Sequence, residues 1–472
     1  NLGIVDRICD ALTVLYAGRV VEQGTTDAVL SAPRHPYTRG LLGALPRADR
    51  GRVGRLTPIP GGLPDLTRPD PGCNFRPRCP FAVEACAAPQ PLRPLADGRS
   101  VRCHRAEEAA ALPWPADDGP AATRDAPDSR AAALLEVEGL SKRFRLGGML
   151  AGLTFDGARP RLRPPPSVLA VDDVSLQVRR GEVLGLVGES GCGKSTLGRL
   201  VLRLIGADGG RIAFAGAEIG PRPPASFRRQ AQIVFQNPDS SLNPRKTVAE
   251  IIRRPIERFG IARDGSTSDE IDRLLDLVRL SPAYRGRYPH QLSGGEKQRV
   301  GIARAVASRP DFLVCDEAVS ALDVSVQAAV LNLLADLRDR LGVAYLFISH
   351  DIGVIAHIAD RIAVMYRGGL VEEGPAAEVL HPPYHPYTEA LLSAVPLVGA
   401  RDRAERRIRL AGDVSTPSTG MGCRFAHRCP RRIGPVCDTV TPPVVEPSPG
   451  HRIACHIPPA ELAAVPPALG DS

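Results

Sequence analysis

An α/β fold built on a mostly parallel sheet is predicted for this 472-residue chain, on three observations. A glycine-rich loop directly follows a short apolar run and opens into a helical pattern. Around it, short β-branched runs alternate with helical ones, the signature of strands joined by crossover helices. A long segment also occurs twice, so the chain carries two copies of one module.

The loop is Gly188-Glu189-Ser190-Gly191-Cys192-Gly193-Lys194-Ser195-Thr196, with a strand expected at 183–187 and a helix at 197–205. Gly188, Gly191 and Gly193 let the backbone wrap round an anion with its N–H groups inward, where side chains would obstruct. The helix presents its positive end to the same anion. Lys194 is placed to reach β- and γ-phosphates, the Ser195 hydroxyl to ligate magnesium, and Ser190 and Thr196 to complete the cradle. The loop implies a nucleoside triphosphate site.

Composition bounds the rest. With 43% hydrophobic and 24% charged residues, the chain suits two or three globular domains. The net charge of +8 permits contact with nucleic acid or an anionic membrane face, and a bias toward Arg, Ala and Pro explains it equally well. No window of 18 residues is apolar and uncharged, so no membrane-spanning helix is expected. The opening residues do not read as a signal peptide. The first residue is Asn rather than Met, from which a missing beginning is expected.

The repeat is offset by 350 residues: 16–24 returns as 366–374, and His35-Pro-Tyr-Thr as His385-Pro-Tyr-Thr. The offset aligns Asn1 with Asp351, so the first copy lacks what the second holds between about 134 and 350. Expected divisions are therefore a C-terminal remnant of the first module at 1–50, a Cys-rich extension at 51–112 and a linker at 113–132. A complete module follows at 133–400, then a second Cys-rich extension at 401–460 and a tail at 461–472. Residues 147–167, with Arg163-Pro-Pro-Pro166, read as an inserted surface loop. A truncated tandem protein is the expectation, an unrelated accessory segment the alternative.

Three further motifs carry chemistry. Phe312-Leu-Val-Cys-Asp-Glu317 is an apolar strand ending in two carboxylates: Asp316 suits magnesium through water, and Glu317 suits a general base. His350 ends another apolar strand, where an imidazole can bridge γ-phosphate and water. Leu292-Ser-Gly-Gly-Glu296 places Ser293, Gly294 and Gly295 before a helix as a second anion cradle.

In this order the motifs resemble those of ABC ATPases over about 134–396. Gln236 looks like that family's Q-loop glutamine, serving magnesium and catalysis, and Ser320-Ala-Leu-Asp323 is similar to its D-loop. The resemblance implies a P-loop NTPase with a RecA-like parallel core and a helical subdomain at about 237–310. It implies ATP and Mg2+ as ligands, with Glu317, His350 and Gln236 catalytic. It further implies head-to-tail pairing with another ABC ATPase domain, each lending its signature to ATP held by the other. Glu296 departs from the usual Gln, a change expected to weaken a contact to nucleotide or partner. Phe144 is the candidate for stacking on adenine, with core packing as its alternative.

Eight of the eleven cysteines fall into two matching quartets: Cys73, Cys79, Cys86, Cys103 and Cys423, Cys429, Cys437, Cys455. Four thiols gathered from loops suit a metal, as iron–sulfur cluster or tetrahedral zinc, and unmetallated thiols remain open. His104 and His456 each follow a last cysteine, as reserve ligands or as exposed histidines. The tails, with Asn237-Pro-Asp-Ser-Ser-Leu-Asn-Pro244, resemble importer ATPases for dipeptides and oligopeptides, whose extension holds a 4Fe–4S cluster. That resemblance implies two permease subunits, an extracytoplasmic solute-binding protein and a peripheral place on the cytoplasmic face of the inner membrane. The alternatives are a soluble ABC ATPase acting on nucleic acid, or an importer ATPase for nickel or another small solute. Aromatics are only 4% of the chain, so no nucleic-acid partner is expected.

Overall fold

The computed structural model describes all residues except 1, 51–53, 63, 65–70, 116–131, 148–152, 157–158, 163–166, 263–265, 400–406, 413–420 and 470–472. Eight strands form the main sheet in the order Ala231–Val234, Phe312–Asp316, Ala344–Ile348, Val183–Val187, Arg361–Tyr366, Gly369–Pro375, His451–Ala454, Val444–Ser448. The first five are mutually parallel and the rest antiparallel. Every residue of the strands at 183, 312 and 344 is buried, because helices and a second sheet cover both faces. Alternation then sorts their side chains: Tyr345 and Phe347 enter the core on the helical side, while Leu346 and Ile348 enter that on the other.

The covering sheet is antiparallel, in the order Ala217–Glu218, Gly209–Phe214, Ala133–Arg145, Ser167–Arg179. The helical layer holds Pro238–Ser241, Val248–Phe259, Thr267–Leu277 and Gly294–Val306, inside the expected 237–310. Thr247 and Glu250 close a capping box on the second of these, and Gly260 ends it in the left-handed region.

The helix after the phosphate loop, expected to reach 205, is Lys194–Val201. Arg203 turns the chain at φ 53, and its guanidinium fastens to the Ile219 carbonyl at 2.6 Å. Within the expected surface loop, Leu153–Asp156 and Arg159–Leu162 pair as a two-stranded hairpin, while 163–166 lie outside the described residues. Of the expected linker, 116–131 lie outside them as well, but its first residues dock on the first copy. Trp114 meets Phe81 edge-on at 5.7 Å, and just before the linker Arg39 donates to the Leu112 carbonyl at 2.8 Å. The expected tail holds most of a short helix, Pro459–Ala463, and buries Leu462 and Leu469.

The first copy repeats the end of the main sheet as Ala11–Tyr16, Arg19–Thr25, Ser100–Val101 and Arg93–Pro94. In the second copy Arg361–Tyr366 also pairs with Val183–Val187; Ala11–Tyr16 stands at the edge of its sheet. The consequence is exposure: Ile8 is 76% and Leu15 58% exposed, against 4% and 0% for their counterparts Ile358 and Met365.

The copies meet through a reciprocal pair of close approaches. A methyl added at Gly3 would lie 2.2 Å from the Pro396 carbonyl oxygen, and one at Gly353 would lie 3.2 Å from that of Pro46. These are the same pair exchanged between copies by the 350-residue offset. Beside them Asn332 clamps the Leu56 backbone, donating to its carbonyl at 2.8 Å and accepting from its N–H at 3.2 Å.

Candidate functional site

The phosphate loop leaves the C-terminal end of Val183–Val187, where parallel α/β sheets open toward ligands. Gly193 caps the following helix at φ 109, and a Cβ there would lie 2.1 Å from the Ala170 carbonyl oxygen. Only glycine satisfies both limits. The Lys194 side chain is buried, with Nζ donating to the carbonyls of Gly188 at 2.7 Å and Glu189 at 2.9 Å.

Neighbouring strands bring the other polar groups to this end of the sheet. The Ser195 hydroxyl donates to Asp316 Oδ1 at 2.7 Å. Burial pushes the Asp316 carboxyl up, opposed by that hydrogen bond. Glu317 takes φ 48, a region a non-glycine residue occupies only when its surroundings enforce it. Its N–H is tied to the Ile348 carbonyl at 3.0 Å. Its Oε2 then receives Gln236 Nε2 at 2.8 Å and lies 3.3 Å from His350 Nδ1. Gln236, Glu317 and His350, far apart in sequence, thus meet at one carboxylate.

The residues flanking Gln236 are tied to the helix at Gly294–Val306. Lys297 pairs with Asp239 at 2.6 Å, Gln298 donates to the Phe235 carbonyl at 3.4 Å, and Arg304 donates to the Ser241 carbonyl. All three donors lie on the helix that the signature caps. Ser293 is its N-cap, and Glu296 completes a capping box, accepting the Ser293 N–H at 2.8 Å. Tyr284 donates to the other Glu296 oxygen at 2.6 Å. Burial raises the Glu296 carboxyl, but these hydrogen bonds outweigh it and hold it below the usual range. Glu296 therefore has a local duty, shaping the loop that presents the exposed Ser293 and Gly294.

Phe144 is 40% exposed on the covering sheet, opposite Val168, with Lys142 over its ring at 5.6 Å. Core packing is excluded by that exposure.

The Cys quartets are built alike. Cys73 N–H donates to Cys86 O at 2.9 Å, and Cys423 N–H to Cys437 O at 2.7 Å. Burial above all, reinforced by the neighbouring thiols, pushes Cys79 and Cys429 up to about 12 and Cys103 up to about 11. All eight are free of disulfides. The thiols of each quartet neighbour one another, yet among the described residues no three His, Cys, Asp or Glu side chains are drawn into metal-coordinating geometry. The histidines turn elsewhere: His104 to Gln90 at 3.2 Å and His456 to the Val440 carbonyl at 2.9 Å.

Sequence reading missed the grip of the second tail on the phosphate loop through Arg428, and the Tyr387 hydroxyl that accepts the Glu189 N–H beside it. Its trace was available, since Arg78 and Arg428 precede the second cysteine of both quartets.

A family model described as "ABC transporter" matches residues 171–320. Another, "Oligopeptide/dipeptide transporter, C-terminal region", matches twice, at 21–86 and 371–437. The chain is 41% identical over 406 residues to the oligopeptide transport ATP-binding protein OppD of Mycobacterium tuberculosis, covering 84% of this chain and 64% of that protein. It is 45% identical over 296 residues to the oligopeptide transport ATP-binding protein AppF of Bacillus subtilis, covering 61% of this chain and 90% of that one. No helix among the described residues is long and apolar enough to cross a membrane.

Proposed function

The chain belongs to the family of oligopeptide and dipeptide ABC transporter ATP-binding proteins, and on that premise we propose that it hydrolyses ATP to drive the import of short peptides. The observation that carries the reading is the meeting of Gln236 and His350 on Glu317, beside the Ser195–Asp316 pair and the phosphate loop. Phosphoryl transfer to water requires little covalent help from protein; it requires anchored phosphates, an oriented water and a base.

Gly188, Ser190, Gly191, Gly193, Lys194 and Thr196 hold the phosphates. Phe144, exposed on the covering sheet, stacks on adenine. Ser195, Asp316 and Gln236 offer the hydroxyl, carboxylate and amide oxygens that suit Mg2+, which neutralises phosphate charge when bound. Glu317 accepts the proton of the attacking water, while Gln236 and His350 fix its direction. Ser293, Gly294 and Gly295 serve a nucleotide held by another ABC ATPase domain, an arrangement supported by the exposure of Ser293 and Gly294 at the start of a capped helix. The Lys297, Gln298 and Arg304 contacts carry the state of Gln236 into the helical layer, against which the permease subunits would rest.

The partners of this reading are two permease subunits and an extracytoplasmic peptide-binding protein, with the chain peripheral on the cytoplasmic face. Each Cys quartet would supply the four ligands of a 4Fe–4S cluster, or of zinc as the alternative, a reading supported by four neighbouring thiols on matching scaffolds. Bound there, the group would cross-link four loops of the tail. Visible absorbance with iron and sulfide analysis supports the cluster; zinc or no metal refutes it.

The functional test is uptake of a labelled tripeptide by proteoliposomes carrying the chain with its permeases and binding protein. ATP-dependent accumulation is expected. ATP turnover without accumulation of any short peptide would refute the peptide assignment.

A further inference from the structure

The second Cys-rich tail touches the nucleotide site directly. Between Cys423 and Cys429 the chain makes tight turns, with the Ala426 N–H on the Cys423 carbonyl at 3.1 Å and the Arg428 N–H on that of Phe425 at 3.0 Å. Phe425 anchors the segment: it is fully buried, edge-on to Tyr366 at 5.2 Å and tilted against Tyr387 at 5.4 Å. The anchor aims Arg428 at the phosphate loop. Its guanidinium, 7% exposed, grips both carboxylate oxygens of Glu189, at 2.8 and 3.2 Å, and reaches the Tyr366 hydroxyl at 3.4 Å.

Glu189 is held a second time, its N–H donating to the Tyr387 hydroxyl at 2.8 Å. Its carbonyl is in turn one of the two carbonyl acceptors of Lys194 Nζ. Thus Arg428 and the phosphate-binding lysine bear on the same residue from opposite sides.

The first copy supplies an internal comparison. Arg78, the counterpart of Arg428, keeps the tyrosine contact, at 3.4 Å to the Tyr16 hydroxyl. Its remaining donors go to the carbonyls of Pro60 at 2.7 Å and Ile59 at 3.3 Å. The scaffold recurs in both copies; among the described residues the carboxylate grip is found in the copy that carries a phosphate loop.

We propose that Arg428 is a positioning residue for nucleotide: the Cys423–Cys429 turn sets the phosphate loop through the Arg428–Glu189 pair, so the tail governs ATP affinity. The inference rests on the ATP-site reading above. A bidentate, charge-assisted grip at a nearly buried guanidinium orients as well as attracts. Losing it frees Glu189, and with it the carbonyl that positions Lys194.

The test is equilibrium titration of the full chain with a fluorescent ATP analogue, with thermal melting as a check on folding. Arg428→Ala, Arg428→Lys and Glu189→Gln are each expected to weaken binding about tenfold, the lysine failing because it cannot hold both oxygens. The double variant Arg428→Ala with Glu189→Gln should be no weaker than either single one, a non-additivity that separate structural damage would not give. Arg431→Ala, in the same tail but bonded to Glu389 and the Glu461 carbonyl, should stay within about twofold of native affinity. Glu189→Gln, made from the loop side, carries the test should Arg428→Ala fail to fold. Native affinity in the folded Arg428 and Glu189 variants would overturn the inference while leaving the ATP reading intact. A native chain that binds no analogue would overturn both.

Discussion

Replacing His451 by Ala should detach the Cys-rich tail from the ATPase sheet. The strand His451–Ala454 joins that sheet by pairing with Gly369–Pro375, and His451 Nε2 lies 2.8 Å from Glu372 Oε1. Both side chains are 0% exposed, so water cannot replace the lost partner. Glu372 would keep the His385 N–H, at 2.9 Å to its other oxygen. Burial already raises the Glu372 carboxyl, and losing His451 removes the largest influence opposing that rise.

A hydrogen bond to a buried charged group contributes about 2 kcal/mol and the vacated ring space about one more, so the joint should lose about 3 kcal/mol. A chain of several domains has no single unfolding free energy, so hydrogen exchange of the strand itself is the suitable assay. Amides of 451–454 should exchange about 150-fold faster in His451→Ala, the equivalent of that free energy. His451→Arg should lose less, since the first copy places Arg99 in the same relation to its own buried Glu22, at 3.8 Å. Exchange within about threefold of native in His451→Ala would refute the reasoning.

Two further predictions concern acid and the phosphate loop. His35 and His385 are fully buried N-caps whose Nδ1 accepts the N–H of Tyr37 and Tyr387, and burial depresses each to about 3 from 6.5. A depressed base gives stability that is complete above 6.5 and lost as pH falls toward 3, on the order of 5 kcal/mol per imidazole at the limit. Melting temperature followed over that interval should fall steeply, less so in His385→Asn, and equal slopes would count against it. Gly193→Ala, forcing a Cβ to 2.1 Å from the Ala170 carbonyl at φ 109, should reduce ATP-analogue affinity on the order of a hundredfold in a titration. Unchanged affinity would mean that the loop is not the phosphate cradle.

Much of the site was legible because phosphate chemistry is local in sequence: nine consecutive residues hold the cradle, and Asp316 and Glu317 end a plainly apolar strand. The fold followed from the same signals, and the fully buried parallel strands at 183, 312 and 344 were readable as short apolar runs. What could not be read was side-chain geometry between distant segments. Nothing near Glu317 announces φ 48, which depends on its N–H finding the Ile348 carbonyl. The Tyr284 partner of Glu296 was likewise hidden, since it comes from a separate turn twelve residues earlier. The end of the helix at Val201 depended on Arg203 reaching Ile219, a contact between turns that periodicity does not encode.

The most direct test of the account compares Glu317→Gln with the native chain in two measurements on the same preparation, MgATP affinity and phosphate release. Native affinity with phosphate release reduced by about a thousandfold is the predicted outcome, because a carboxamide can still accept Gln236 and His350 but cannot take the proton from water. Phosphate release at the native rate would contradict the account at its centre.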